Sequence, residues 1–221
     1  TKFGRSLSAV AEMVERLTRR YEKPHFNIFD TEVAGKRVKI EEIKVIKKPF
    51  CNLLHFQKSG DYKQPKILLV APMSGHYATL LRGTAEGLLP EADVYMTDWL
   101  NVRDVPIEKG EFYFDDYVAY VIEFCKALGP DVTVIAVCQP SVPVMVAMAL
   151  MSEEKNQKTP KHIVLMGGPI DTRKSPTGVN DYAAERTIRW FENNVITAVP
   201  GHYKGAGRLV YPGFMQLYGF M

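Results

Sequence analysis

DVTVIAVCQPSVPVMVAMALM, residues 131–151, is a β-branched apolar run that passes into a helix with no linker between them. Its first eight residues suit a strand buried on both faces of a parallel sheet. A helix begins directly after Cys138, with Pro140 and Pro143 in its first turn, where a missing N–H costs nothing. A strand–turn–helix this tight is the geometry of a nucleophile elbow, which holds one side chain above the sheet edge on strained backbone. The usual box is G-x-S-x-G; here it reads Ala136-Val137-Cys138-Gln139-Pro140. Ala136 keeps one small residue, and Pro140 replaces the second glycine. At the N-terminus of a helix the dipole favours a thiolate, so Cys138 is the candidate nucleophile. A second reading stays open on the pattern alone: a buried cysteine that acts as a small hydrophobe at a strand end. Ser141 falls in the first helical turn, where a hydroxyl assists capping.

Three further runs share the character of the first: KILLVAP at 66–72, DVYMTDW at 93–99 and HIVLMGGP at 162–169. Helical stretches lie between them, at 78–89, 115–128 and 142–153. Such alternation implies an α/β fold of the α/β-hydrolase type, a mostly parallel sheet with helices on both faces. Right-handed crossovers put the C-terminal ends of the strands on one edge, where such folds carry their chemistry. Upstream, residues 38–46 alternate apolar and polar as an antiparallel strand with one wet face does, and 53–56 form a further strand. Leu7, Val10, Met13, Val14 and Leu17 recur at helical spacing, which predicts an amphipathic helix over 6–21.

The strand at 66–72 ends in Pro72-Met73-Ser74-Gly75-His76. In α/β-hydrolases the loop after the equivalent strand gives one oxyanion-hole N–H, and the residue after the nucleophile gives the other. Met73 or Ser74 would be the first donor and Gln139 the second. A tight turn that needs Gly75 explains the same residues. From Asp171 the alternation stops: a polar loop, a helix over 181–195, then a glycine- and aromatic-rich tail without a clear strand. The expected organisation is an incomplete core with an N-terminal helix over 1–170 and a cap or lid over 171–221.

The chain has 221 residues, 46% hydrophobic and 24% charged, with a formal net charge of +3, enough for a real core and too little charge to suggest nucleic acid. No apolar run reaches the roughly 18 residues that span a bilayer. Residues 1–21 lack the pattern of a signal peptide. Cys51, Cys125 and Cys138 are sparse and without CxxC spacing, which argues against a disulfide framework and a structural zinc and fits a reducing, cytoplasmic compartment. The pattern calls for no cofactor and no metal.

Four motifs taken together, AVCQPSVPVMVA (136–147), APMSGHYATLLRGT (71–84), DWxxxRxVP (98–106) and GRLVYPGFMQL (207–217), resemble the intracellular polyhydroxybutyrate depolymerases, members of the polyhydroxyalkanoate depolymerase family. WFENNVITAVP (190–200) resembles the cap region of the same group. The resemblance implies that Cys138 takes the place of the serine in the lipase-type box. It implies hydrolysis of granule polyester through a thioester, at the polyhydroxyalkanoate granule surface. In that family the catalytic Asp and His lie in core strands after the cap, so the resemblance assigns neither here. The expectation is a fragment or N-terminal portion, poor in turnover. His76, Asp98 and Asp171 are the residues that strand-end position offers in their stead. The uncovered sheet edge is expected to self-associate.

Two other functions remain open. A polyester synthase or acyltransferase uses the same cysteine elbow, though with glycine where this chain has Pro140. A non-catalytic granule-binding remnant would use the aromatic tail, from Trp190 to Phe220, to adsorb to polymer.

Overall fold

The computed structural model describes residues 22–73 and 77–218. The predicted helix over 6–21, together with Ser74, Gly75 and His76, lies outside the described residues. Seven strands form one sheet: β1 (Asp30–Val33), β2 (Lys36–Lys47), β3 (Cys51–Lys58), β4 (Lys66–Val70), β5 (Asp93–Trp99), β6 (Thr133–Val137) and β7 (His162–Met166). Their spatial order is β1-β2-β3-β5-β4-β6-β7. The pairs β5–β4, β4–β6 and β6–β7 are parallel, whereas β1–β2, β2–β3 and β3–β5 are antiparallel. Five strands, β2, β4, β5, β6 and β7, therefore run the same way. β2 is the half-wet strand its alternation predicts, with Val38 and Ile40 buried, until a register shift between Lys44 and Ile46.

Three main-chain helices follow the parallel strands: α1 (Arg82–Leu88, entered through a 3-10 turn at Ala78–Leu81), α2 (Phe114–Leu128) and α3 (Ser141–Glu153). Period-two alternation divides the core between the two faces of the sheet. Leu68, Val70, Val134 and Ala136 meet Val121, Phe124 and Cys125 of α2 and Val144, Ala147 and Met151 of α3. Leu69, Ala71, Val94 and Met96 meet Ala85 of α1 together with Phe26, Leu81 and Leu89. The layered α/β-hydrolase-type architecture follows from these two apolar faces, each covered by its own helices.

The apolar run of β7 suits a strand buried on both faces, but the structure has it as the uncovered edge that was also expected. Ile163, Val164 and Met166 are 38%, 43% and 47% exposed, because among the described residues β7 is the edge of the sheet and pairs only with β6. An apolar run alone does not tell whether a further element covers it.

The helix expected over 181–195 is two short ones, α4 (Gly178–Ala184) and α5 (Ile188–Asn194). The break comes from Thr187, whose hydroxyl accepts the Trp190 N–H at 3.2 Å and starts a new helix. Tyr182, Trp190 and Phe191 stack edge to face across the break, and the Arg186 guanidinium lies 3.5 Å from the Tyr182 ring centroid. The tail, expected to lack strands, holds a two-stranded ribbon, β8 (Thr197–Ala198) with β9 (Leu209–Val210), and then α6 (Gly213–Tyr218).

This tail is fastened to the loop after β5. Gly205 N–H donates to the Arg103 carbonyl at 2.8 Å, and a Cβ at Gly205 would stand 2.8–2.9 Å from three carbonyls of that loop. Arg208, buried, donates to the carbonyls of Gly110, Val105 and Pro106. The Arg-Leu-Val stretch and the DWxxxRxVP loop are thus two halves of one contact.

Candidate active site

Cys138 sits one residue past the end of β6 and three before the start of α3, with φ of +68°. A left-handed conformation at a non-glycine residue costs on the order of 1 kcal/mol and persists where the surroundings enforce it. Here they do. The Cys138 N–H donates to the Met166 carbonyl of β7 at 2.8 Å, and the Cys138 carbonyl accepts the Ser141 N–H at 3.0 Å. The strand delivers the residue and the helix takes the chain away in one turn. Its thiol is exposed, whereas Cys51 and Cys125 are buried. Burial pushes the Cys125 thiol up to about 12 and the Cys51 thiol well above its ordinary range. Both are inert small hydrophobes. The open question about Cys138 concerns its position alone, and that position is strained and exposed.

Gly168 shows how closely the elbow is held. A Cβ built there would collide with the Cβ and Oγ of Ser141 and stand 2.8 Å from the Cys138 carbonyl. Ser141 was expected to assist capping; instead its hydroxyl is fully buried and makes no hydrogen bond among the described residues. The packing against Gly168 faces it inward.

The loop after β4 comes to the elbow as expected. The Met73 N–H donates to the side-chain oxygen Oε1 of Gln139 at 3.2 Å. The Gln139 N–H makes no hydrogen bond among the described residues. Two of the three expected oxyanion donors, Met73 and Gln139, therefore lie together beside Cys138; the third, Ser74, lies outside the described residues. Three residues that the sequence did not single out fix this loop. Ala71 N–H donates to Thr97 Oγ1 at 2.9 Å, and the Ala71 carbonyl accepts Trp99 Nε1 at 2.9 Å and the Tyr117 hydroxyl at 3.5 Å. All three side chains are buried. The signal available in sequence was the Trp of the DWxxxRxVP motif, whose indole N–H needs a partner when buried.

Of the residues offered as acid or base, His76 lies outside the described residues, and Asp98 and Asp171 are each paired with a basic side chain. Asp98 is buried within β5 and pairs with Lys23 at 2.5 Å. Asp171 is held by Arg173, which lowers its carboxyl below the usual range. His55 pairs with Asp93 at 2.6 Å, at the opposite end of β5 from the elbow. His162 opens β7 at that same opposite edge. His202 lines a cavity of about 590 Å³ with Trp99, Asn101, Arg103 and Tyr203, over the end of β5. That groove lies two strands from β6, on the order of 10 Å from Cys138 at the usual strand spacing. No group of three or more His, Cys, Asp or Glu suited to a metal occurs among the described residues, and no described helix is long and apolar enough to cross a membrane.

A mostly parallel sheet with helices on both faces and a strained residue where a central strand meets its helix define an α/β-hydrolase-type fold. Residues 167–221 match the family described as PHB de-polymerase C-terminus. The match supports the PHB depolymerase family that the motif resemblance implied. No curated protein matches the chain. Solved structures with a similar outline include three esterases. Naproxen esterase (carboxylesterase NP) from Bacillus subtilis is 13% identical with TM-score 0.45, over 67% of this chain and 49% of that one. A hyperthermophilic esterase from Pyrobaculum calidifontis is 10% identical with TM-score 0.47, over 77% and 60%. A carboxylesterase, CesB (YbfK), from Bacillus subtilis is 12% identical with TM-score 0.44, over 72% and 53%. The match to this chain spans about half to three fifths of the length of each. The fold assignment rests on the strand order and the elbow.

Proposed function

We propose that this chain carries the nucleophile and oxyanion site of a carboxylic ester hydrolase that acts on polyhydroxybutyrate through a cysteine acyl-enzyme. The observation that carries the reading is the left-handed, exposed Cys138 at the β6–α3 junction, the only exposed thiol of three. In the proposed step the Cys138 thiolate attacks the ester carbonyl, and the N–H groups of Gln139 and Met73 receive the oxyanion. The alcohol end of the polymer leaves and a thioester remains for water. Two aimed donors of this kind are worth about 3–4 kcal/mol each in the transition state. The family match over 167–221 supports the polyester as substrate, at the granule surface that the motif resemblance implies, and the sparse cysteines fit a reducing cytoplasm. The exposed apolar β7 edge supports self-association.

A polyester synthase is the second reading, since it uses the same thiol. Pro140, buried, continues into the helix with φ −59°, so the elbow needs no glycine there and the residue does not discriminate by geometry. Incubation with amorphous polyester or with hydroxyacyl-CoA does: released hydroxyacid supports the hydrolase, and polymer formed from the thioester supports the synthase. The shared premise is tested first. Iodoacetamide on the folded chain should alkylate Cys138 alone, with Cys51 and Cys125 labelled only after denaturation, as read by peptide mass spectrometry. Equal labelling of the three in the folded state would remove Cys138 as nucleophile.

A further inference from the structure

The hydrogen bond that brings the two oxyanion donors together also blocks one of them. A backbone N–H carries a single hydrogen. While Oε1 of Gln139 accepts the Met73 N–H at 3.2 Å, that hydrogen is not available to a substrate oxygen. The acceptor is a neutral carbonyl oxygen of an amide, the same kind of atom as an ester carbonyl oxygen, and it belongs to the residue after the nucleophile. The site is occupied by its own side chain.

Of the two partners, only one is free to leave. Three buried side chains, Thr97, Trp99 and Tyr117, fix Ala71, two residues before Met73. The Gln139 backbone is equally fixed, between the strained Cys138 and the first turn of α3, where its carbonyl accepts the Val142 N–H at 3.3 Å. Among the described residues the Gln139 side chain has no second anchor: its Nε2 makes no hydrogen bond, and the residue is half-buried. Rotation about its χ angles releases the Met73 N–H without disturbing the elbow.

We propose that the Gln139 side chain is a gate on the oxyanion site, closed at rest and displaced by the carbonyl oxygen of the acyl group. This rests on the assignment of Cys138 as nucleophile. The displacement has a direction in energy. A ground-state ester oxygen exchanges one neutral acceptor for another and gains little. An oxyanion accepts about twice as strongly, so the exchange becomes favourable as negative charge develops. The gate thus keeps the Met73 donor satisfied in the resting enzyme and yields it to the transition state.

The test uses the full chain and compares two reactions of one thiol. With p-nitrophenyl acetate, Cys138 Sγ bonds to the carbonyl carbon and the π pair moves to oxygen. Collapse of that oxyanion expels p-nitrophenolate and leaves an acetyl thioester, the thiol proton passing to buffer. With iodoacetamide, Sγ displaces iodide from a methylene carbon and no oxyanion forms. Gln139→Met keeps the bulk and loses the acceptor; Gln139→Ala loses both; each keeps the backbone N–H. Single-turnover acylation of Cys138 should rise about two- to tenfold in both variants, the worth of one neutral hydrogen bond, while the alkylation rate stays as in the parent chain. Acylation that is unchanged or slower, with alkylation constant, overturns the gate and makes the side chain a brace. A parallel rise in both rates also overturns it, because greater access to the thiol then explains the gain. A parent Cys138 that resists both reagents refutes the nucleophile itself, and the gate with it.

Discussion

Cys138 pays for its place with backbone strain. The left-handed region is open to glycine and disfavoured for a cysteine, so Cys138→Gly should stabilise the fold by about 1 kcal/mol, a rise in Tm of roughly 2–4 °C for a chain of this size. The same change removes the only exposed thiol, so acylation should vanish. A thermal melt set beside an acylation assay checks both halves. A variant that is less stable than the parent would mean that the Cys138 side chain packs rather than waits for substrate. The tight turn at this residue was legible in the sequence, because a strand that meets a helix without a linker leaves little other conformation. Its exposure was not, because exposure depends on what the neighbouring strand ends leave open.

The elements around the elbow act through two contacts that no local pattern reveals. One is the seat of the β7 end on the first turn of α3. Gly168→Ala would press a methyl group into Ser141 and the Cys138 carbonyl, which should cost about 1–3 kcal/mol and slow alkylation of Cys138 as the turn distorts. Chemical denaturation together with the alkylation rate would measure it, and adding Ser141→Gly should recover part of the loss. The other contact is the indole of Trp99 on the Ala71 carbonyl. Trp99→Phe removes the 2.9 Å bond and leaves that buried oxygen with the Tyr117 hydroxyl at 3.5 Å. An unsatisfied buried acceptor costs about 1–3 kcal/mol. Acylation should fall further than alkylation, because only acylation uses the Met73 N–H that this loop positions. Equal falls in the two rates would show that Trp99 supports the fold and not the donor.

Among the described residues, one edge of the sheet is without a cover. There β7 pairs on one side only and exposes Ile163, Val164 and Met166, and α3 adds exposed Met145 and Leu150. An apolar edge of this kind pairs with another chain. Sedimentation should show a mass that grows with concentration and strong binding of a hydrophobic dye. Val164→Lys, a charge on the edge strand, should shift the chain toward monomer. A parent chain that sediments as a monomer with weak dye binding would mean that something within the chain covers this edge.

The sequence by itself determined the alternation of the core strands and helices and the tight strand–helix junction at Cys138, because hydrophobic period and tight junctions are local properties of the chain. It also carried the resemblance to the family, through motifs that lie far apart. Two local signals, the Thr187 cap that splits the expected helix at 181–195 and the two-stranded ribbon of the tail, are present in the sequence but weak beside the periodicity around them. Only the tertiary structure decided that Trp99, Thr97 and Tyr117 fix the loop that carries Met73, that Gly168 locks the elbow, and that the side chain of Gln139 closes on its own donor. Those contacts join residues 26–66 positions apart, and their partners are set by how strands stack side by side, which no stretch of sequence contains.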